Sequence, residues 1–137
     1  MYAGMTRHYI IATILLFLAG CTLSFADNKE KKAKIQLDST TANIGTFPKS
    51  DCRKTVVYTF KNVGNEKLVF YDAKPDCGCL KVQLPDKPIK PGKKGRIVVN
   101  YNGGNKRPAH YNHKINFACS GDPAYFQLRL KFYMTEK

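Results

Sequence analysis

The amino-acid sequence predicts an all-β fold, and three observations support this prediction. Apolar and polar residues alternate with a period of two over several short runs, as in strands that bury one face. Clusters of Gly, Pro, Asn and Asp separate these runs. No stretch sustains the i, i+3, i+4, i+7 apolar spacing of an amphipathic helix. The 137 residues suffice for one ordinary core but not for two domains.

The first predicted strands precede the sequence Cys-Gly-Cys. Residues 35–37 form a short strand, and residues 43–46 have a weaker strand pattern. A clearer alternation over residues 55–60 ends at the Asn and Gly residues of 62–65, which predict a turn. A further strand covers residues 68–73 and ends at the proline before the two cysteines.

Four strands follow the sequence Cys-Gly-Cys. Residues 80–84 alternate until three prolines interrupt the chain, and residues 96–101 alternate until the loop of residues 102–108. The inward-facing residues of the last two strands are Ile115, Phe117 and Cys119 in one, and Phe126, Leu128, Leu130, Phe132 and Met134 in the other. About seven strands in about 100 residues are typical of an immunoglobulin-like antiparallel β-sandwich.

The N-terminal pattern predicts an export signal over residues 1–26. Arg7 precedes an unbroken apolar run, residues 10–18, which is shorter than the about 20 residues that span a bilayer. Two cleavage sites fit this signal. The sequence Leu-Ala-Gly-Cys ending at Cys21 resembles a bacterial lipobox, in which the cysteine is acylated, and Ser-Phe-Ala ending at Ala26 suits ordinary signal peptidase. Both predict an extracytoplasmic protein of a Gram-negative envelope, either periplasmic or anchored to the membrane by lipid on Cys21.

The chain is strongly basic. Lys and Arg number 23 against 10 Asp and Glu, which gives a formal net charge of +13. Residues 27–34 carry many charges and little apolar surface, so we expect a solvated tether before a domain over residues 35–137. A local basic patch is a candidate for binding anionic partners, and its members are Lys87, Lys90, Lys93, Lys94 and Arg96. Because export removes the chain from cytoplasmic nucleic acid, we expect an envelope protein or an anionic glycan or lipid surface as partner, and no nucleic acid.

Six short motifs follow one another along the predicted domain. They are Gly45-x-Phe47, Phe60-x-Asn62-x-Gly64, Leu68-x-Phe70, Cys77-Gly78-Cys79, Ile89-x-Pro91-Gly92 and Gly95-x-Ile97-x-Val99-x-Tyr101. In this order they resemble the secreted bacterial family catalogued as domain of unknown function 1573, which is similar to the Hydin-type immunoglobulin-like domains. The resemblance spans residues 35–134 and implies an export-associated immunoglobulin-like fold, without an established reaction. Typical members have Ser before Cys-Gly-Cys, where this chain has Asp76.

Four cysteines lie in the predicted domain. An immunoglobulin-like topology places Cys52 near Cys77 and Cys79 at one end of the sandwich, and Cys119 at the other end. Cys119 is in phase with the inward-facing Phe117, so we expect a buried, unpaired thiol. The first interpretation of the other three cysteines is structural, a disulfide from Cys52 to Cys77 or Cys79 that joins two loops.

Two other interpretations of the Cys-Gly-Cys sequence stay open. In a redox site, Cys77 bonds to Cys79, although residues i and i+2 of an extended chain lie near the upper limit of bridgeable separation. Basic neighbours would favour a thiolate there, and they are Arg53, Lys54, Lys74, Lys81 and Lys106. In a metal site, Cu(I) or zinc is held by Cys52, Cys77 and Cys79 with His110, or with His113 as second choice. Because the surrounding positive charge disfavours a cation, we expect no cofactor by default.

The sequence lacks the common enzyme motifs. It contains no His-Glu-x-x-His, no Gly-x-Ser-x-Gly and no phosphate-binding glycine loop. We therefore expect a non-enzymatic protein that serves as a binding or assembly module for another envelope component. The alternative is a periplasmic thiol-redox or copper-handling protein that uses Cys77 and Cys79.

Overall fold

Strands account for most of residues 29–137, the part of the chain that the computed structural model describes. They are β1 (Ala33–Leu37), β2 (Thr41–Pro48), β3 (Arg53–Asn62), β4 (Phe70–Pro75), β5 (Leu80–Gln83), β6 (Lys94–Asn102), β7 (Ala109–Cys119), β8 (Gly121–Asp122) and β9 (Tyr125–Thr135). A turn of 3-10 helix, Lys49–Asp51, connects β2 to β3. The predicted signal of residues 1–26, with Cys21, lies outside the described residues.

The strands form two sheets that pack face to face around one core. The strand order is β5-β6-β3-β1-β8 in one sheet and β2-β9-β7-β4 in the other. This confirms the predicted all-β, immunoglobulin-like sandwich. Most strand pairs are antiparallel, and two pairs, β1 with β8 and β2 with β9, run parallel, a detail that the sequence pattern does not predict. The cause is that side chains alternate in the same way in parallel and antiparallel strands, so alternation does not determine strand direction.

The core consists of the alternating residues that the sequence predicts to face inward. They include Val56, Tyr58 and Phe60 of β3, Ile97, Val99 and Tyr101 of β6, Ile115 and Phe117 of β7, and Leu128, Leu130, Phe132 and Met134 of β9. Each such side chain stabilises the fold by about 1.5–3 kcal/mol when fully buried. Packing in this core fixes the positions of the strands whose ends form the candidate site.

The first strand begins earlier than the sequence predicts. β1 starts at Ala33, which is buried beside Gly121 of β8, so the last two residues of the predicted tether, 27–34, belong to the domain. The sequence prediction assigned these residues to the tether because they belong to a run of charges. In the structure the exposed Lys32 and Lys34 alternate with the buried Ala33 and so continue the period of two of the strand. Among residues 29–137, no helix is long and apolar enough to cross a membrane.

A buried amide connects the start of the domain to the rest of it. The Nδ2 of Asn62 donates to the carbonyls of Glu66 at 2.7 Å and Ile89 at 2.9 Å. Its Oδ1 accepts from the N–H groups of Lys34 at 3.2 Å and Gly64 at 3.0 Å. The sequence predicts Asn62 only as a turn residue, but it also satisfies polar backbone groups of three separate segments.

Candidate functional site

The Cys-Gly-Cys turn passes from β4 in one sheet to β5 in the other, and hydrogen bonds hold both of its ends. Asp76 extends the pairing of β4 with β7, since its N–H donates to the Lys114 carbonyl and its Oδ2 accepts from the Lys114 N–H, both at 2.9 Å. At the other end, the Cys79 carbonyl accepts from the Asn102 N–H at 2.9 Å. The turn is therefore attached to both sheets of the sandwich.

Within this turn Cys77 and Cys79 form a disulfide with each other. The prediction that Cys52 pairs with one of them is wrong, because Cys52 has a free thiol. The turn shortens the Cα–Cα distance to 5.1 Å, inside the usual range for a disulfide, whereas an extended Cys-Gly-Cys segment approaches its limit. Cys52 does lie at this end of the sandwich, as predicted, since its carbonyl accepts from the Gly103 N–H at 3.0 Å.

His113 connects the disulfide to the interior of the sandwich. It lies on the inner face of β7, with 8% of its surface exposed. Its Nδ1 is 3.0 Å from Asp76 Oδ1, and its Nε2 is 3.8 Å from Cys79 Sγ. Because a carboxylate oxygen accepts hydrogen bonds, the contact with Asp76 places a proton on Nδ1. The other ring nitrogen, Nε2, then faces the sulfur of Cys79.

Aromatic rings hold the His113 imidazole in this orientation. The centroid of the Tyr111 ring is 5.4 Å away in a stacked arrangement, and the centroids of Tyr101 and Phe132 are each 5.9 Å away. These contacts limit rotation of the imidazole, so its approach to Cys79 is a feature of the packed core.

The prediction of His110 as a metal ligand beside the cysteines is wrong, and so is that of Cys52. Among the described residues, the potential ligand atoms that converge are those of Cys77, Cys79 and His113, all within 4.8 Å of one another. His110 instead stacks on Tyr133, with ring centroids 4.3 Å apart. The strand β7 begins at Ala109, so His110 is a strand residue three positions from His113 and faces the opposite side. His113 was the second choice as a ligand, because its phase with Ile115 favoured core packing.

The disulfide contributes to the wall of an open pocket of about 670 Å³, called here the disulfide pocket. Its wall includes four basic side chains, those of Arg53, Lys54, Lys81 and Lys106. Lys54 is also paired with Asp51 and lies over the Phe47 ring. The predicted basic neighbours of the cysteines are thus present except for Lys74, which pairs with Asp72 at 3.4 Å. Such a surrounding stabilises a thiolate relative to a thiol.

The hydroxyl of Tyr101 lies buried near the same end of the sandwich. Within the described part of the chain its Oη has no hydrogen-bond partner. Burial raises the pKa of Tyr101 to about 12, with smaller contributions from Tyr111 and Cys52. Tyr101 is therefore a neutral phenol at physiological pH, with an unsatisfied polar atom that costs free energy.

The remaining candidates lie elsewhere. Cys119 is buried, as predicted, its Sγ donates to the Pro123 carbonyl at 3.4 Å, and burial raises the pKa of its thiol. The basic patch follows β5 and continues into the start of β6, and its five side chains are exposed. Since the nine residues of β6 extend for about 30 Å, the patch lies at the opposite end of the sandwich from the disulfide.

Several solved structures share this fold at low sequence identity. A protein of unknown function from Porphyromonas gingivalis W83 is 18% identical, with a TM-score of 0.65, and the match covers 79% of this chain and 50% of that one. The PapD-like domain 7 of human CEP192 is 10% identical, with a TM-score of 0.57 and coverage of 80% and 90%. The CupB2 chaperone of Pseudomonas aeruginosa is 14% identical, with a TM-score of 0.50 and coverage of 73% and 55%. This chain thus spans about half the length of the Porphyromonas protein, and the likeness concerns the fold.

No curated protein matches the sequence of this chain. One family model does match it, that of a protein of unknown function (DUF1573), over residues 35–134. The match includes every strand from β2 to β8, most of β1 and β9, and the Cys-Gly-Cys turn with His113. This chain therefore belongs to the DUF1573 family of proteins of unknown function.

Proposed function

We propose that this protein is an extracytoplasmic immunoglobulin-like module that exchanges disulfide bonds with a partner through Cys77 and Cys79. The observation that supports this most is the 3.8 Å approach of His113 Nε2 to Cys79 Sγ, on an imidazole that Asp76 orients. A disulfide that only closes a turn requires no such base beside its sulfur. The predicted export signal of residues 1–26 supports a location where thiols meet oxidising conditions.

The exchange starts when a partner thiolate attacks Cys77 Sγ. The Cys77–Cys79 bond breaks, and Cys79 leaves with the electron pair as a thiolate. His113 Nε2 takes up the proton that the partner thiol released on forming its thiolate, and passes this proton to Cys79. A second partner thiolate then attacks the partner sulfur of the mixed disulfide and releases Cys77 as a thiolate, which takes up a proton from water. The partner dithiol has become a disulfide, and its two electrons and two protons are now on Cys77 and Cys79.

The charges of the disulfide pocket favour this chemistry. Each step produces a thiolate, and Arg53, Lys81 and Lys106 line the pocket where the thiolates form. One bond of this protein exchanges for one bond of the partner, so the process is stoichiometric. We therefore propose that each chain reacts once and does not catalyse repeated turnovers. The sequence likewise led us to expect a protein that is not an enzyme.

A redox titration of the full chain tests the proposal. The protein is equilibrated at stepped ratios of reduced to oxidised glutathione, trapped by alkylation, and analysed by mass spectrometry of its peptides. We expect Cys77 and Cys79 to become labelled together along a two-electron curve. A Cys52→Ser variant serves as the control and should give the same midpoint, because Cys52 takes no part in the bond.

Two results would overturn this function. One is a Cys77–Cys79 bond that stays closed in the folded protein at every glutathione ratio, which would make it purely structural. The other is a midpoint that moves when Cys52 is replaced, which would show that the disulfide partners differ from those assigned.

A second candidate function is the binding or assembly module that the sequence favoured. The observation that supports it is a sheet edge: among residues 29–137, β4 is the last strand of the four-stranded sheet, and Tyr71 on it is 68% exposed. A free edge can pair with a strand of another protein. One structural neighbour, CupB2, is named a chaperone, and anionic envelope surfaces could meet the basic patch.

The two functions differ in how they depend on the cysteines. A partner held at the β4 edge should be crosslinked from position 71 equally well by the wild type and by a Cys77→Ser, Cys79→Ser double variant. A partner held by exchange should be trapped as a mixed disulfide by the Cys79→Ser variant and lost from the double variant.

A further inference from the structure

We propose that the reduced form of this protein binds one Cu(I) ion through Cys77, Cys79 and His113. The proposal rests on the proposed function in one respect, namely that the Cys77–Cys79 bond can be reduced. The site then has two states, which are a closed disulfide without metal and an open dithiol that binds a soft metal ion.

The distances among the three side chains fit a metal centre. Their ligand atoms lie within 4.8 Å of one another, and Cys79 Sγ and His113 Nε2 are 3.8 Å apart. A metal ion with bonds of about 2.3 Å to sulfur and about 2.0 Å to nitrogen separates two trigonally arranged ligands by about 3.7 Å. Cys79 and His113 therefore already have the spacing of ligands to one ion, and Cys77 alone must move.

The surroundings of Cys77 allow this movement. Gly78 is exposed, and a Cβ placed on it would meet no atom within 4 Å. When two electrons from a partner dithiol break the disulfide, the Cys77 side of the turn can open into the disulfide pocket, whose wall includes Gly78. Cu(I) binding then displaces the two thiol protons to solvent, and the copper ion keeps its oxidation state.

A second observation independent of the cysteines also indicates a metal ligand. Metal-binding histidines usually donate their other ring nitrogen to a carboxylate, which orients the ring and raises the basicity of the ligand nitrogen. His113 has this contact, 3.0 Å from Nδ1 to Asp76 Oδ1. The other oxygen of the carboxylate is fixed in turn by the Lys114 N–H at 2.9 Å.

Charge and ligand number favour Cu(I) over zinc. Two thiolates and a neutral imidazole give a net charge of −1 with Cu(I), which the basic side chains of Arg53, Lys81 and Lys106 counterbalance. Structural zinc sites almost always have four protein ligands, and the cluster among the described residues contains three. Soft thiolate ligands suit both Cu(I) and zinc, so the number of ligands and the charge of the site decide between the two metals.

Anaerobic titration tests the assignment. The full chain is reduced with a phosphine, desalted, and titrated with Cu(I) in competition with the chromogenic chelator bicinchoninate. We expect one Cu(I) per reduced chain and none per oxidised chain. X-ray absorption of the loaded protein should show two sulfur ligands and one nitrogen ligand.

Three variants make the test specific to these residues. His113→Phe keeps a ring in the core and should weaken Cu(I) binding by at least about tenfold, with loss of the nitrogen scatterer. Asp76→Asn should weaken it by about tenfold, because the imidazole loses its orienting carboxylate. His110→Phe is the matched control and should bind like the wild type, and circular dichroism verifies that each variant is folded.

The outcomes separate this inference from the proposed function. If alkylation shows that Cys77 and Cys79 do not reduce, both fail. If the two thiols form and no Cu(I) binds, or if binding persists in the Cys77→Ser, Cys79→Ser variant, the copper site alone is wrong. Tighter binding of Zn²⁺ than of Cu(I) at the same residues would overturn the choice of metal.

Discussion

At the scale of single residues, His113 joins the cysteine pair to the core. One ring nitrogen faces Asp76 and the other faces Cys79, while Tyr101 and Phe132 pack beside the ring. The sequence predicts half of this, because phase with Ile115 places His113 on the inner face of its strand. It places His113 beside Cys79 only as a second choice, because the two residues are 34 positions apart and belong to different segments of the fold.

Replacing His113 should slow disulfide exchange without unfolding the protein. In His113→Phe the ring packing remains but Cys79 loses its proton donor, so we expect the rate of reaction with glutathione at neutral pH to fall by about 100-fold. Stopped-flow measurement with alkylation traps gives this rate. His110→Phe is the control, and a rate unchanged in His113→Phe would show that the imidazole has no part in exchange.

Removing the unsatisfied hydroxyl of Tyr101 should stabilise the fold. Tyr101→Phe eliminates a buried polar atom without a described partner, so we expect the free energy of unfolding to rise by about 1 kcal/mol at pH 7. The pKa of about 12 in the folded state lies above the value of 10.0 for a free phenol, so ionisation favours the unfolded chain once the pH passes 10. The wild type should therefore lose stability between pH 10 and 12 more steeply than the variant.

Urea unfolding of both proteins at stepped pH measures this difference. Tyr58→Phe provides a comparison, because burial also raises the pKa of Tyr58 to about 12, but its hydroxyl donates to the Arg129 carbonyl at 2.6 Å. Its removal should destabilise the fold at pH 7. A Tyr101→Phe protein that is less stable than the wild type at pH 7 would refute this account of Tyr101.

At the scale of elements, alternation predicts which residues face inward but not how elements meet. The core residues of β3, β6, β7 and β9 follow the predicted faces, because a period of two determines them locally. The parallel pairing of β2 with β9 depends on how the chain crosses between sheets, and no local pattern encodes it. The Cys77–Cys79 bond likewise depends on the turn between β4 and β5. The bend of this turn brings the two cysteines closer together than they would be in an extended chain.

Gly64 lies in close contact with the backbone at the start of β1. A Cβ there would lie 2.3 Å from the Lys32 carbonyl oxygen and 2.5 Å from the Lys34 nitrogen, both backbone atoms of the β1 region. Gly64→Ala should therefore displace β1 and cost about 3 kcal/mol, since backbone atoms give way less easily than side chains. Gly78→Ala is the control with open space, and urea unfolding compares the two. Equal stabilities would contradict the close approach.

At the scale of the whole molecule, two surfaces of different chemistry occupy opposite ends of the sandwich. The disulfide pocket lies where β6 ends, and the basic patch lies where β6 begins. Their separation implies that exchange and attachment to an anionic surface can proceed at the same time. The sequence predicted both groups of residues, but only the topology places them at different ends.

The basic patch should bind anionic membranes independently of the cysteines. An unacylated Cys21→Ser chain should bind phosphatidylglycerol vesicles with an affinity that falls as salt increases, because exposed charges are screened. Neutralising the five patch residues to Gln should weaken binding by about tenfold or more. A charge-matched control neutralises Lys49, Lys74, Lys114, Lys131 and Lys137, and equal losses in both variants would contradict a localised site. The redox midpoint should stay unchanged in both.

The central claim is that Cys77 and Cys79 change together between disulfide and dithiol, and mass spectrometry of the protein isolated from its native cells tests it most directly. Cells are quenched with an alkylating reagent before lysis, and the mass of the intact chain and of its cysteine peptides is measured, which also tests the predicted starts at acylated Cys21 and at Asp27. The account predicts two populations that differ by labels on both Cys77 and Cys79, with Cys52 labelled in each. A single population with these two cysteines always bonded, or with a bond from Cys52 to either one, would contradict it.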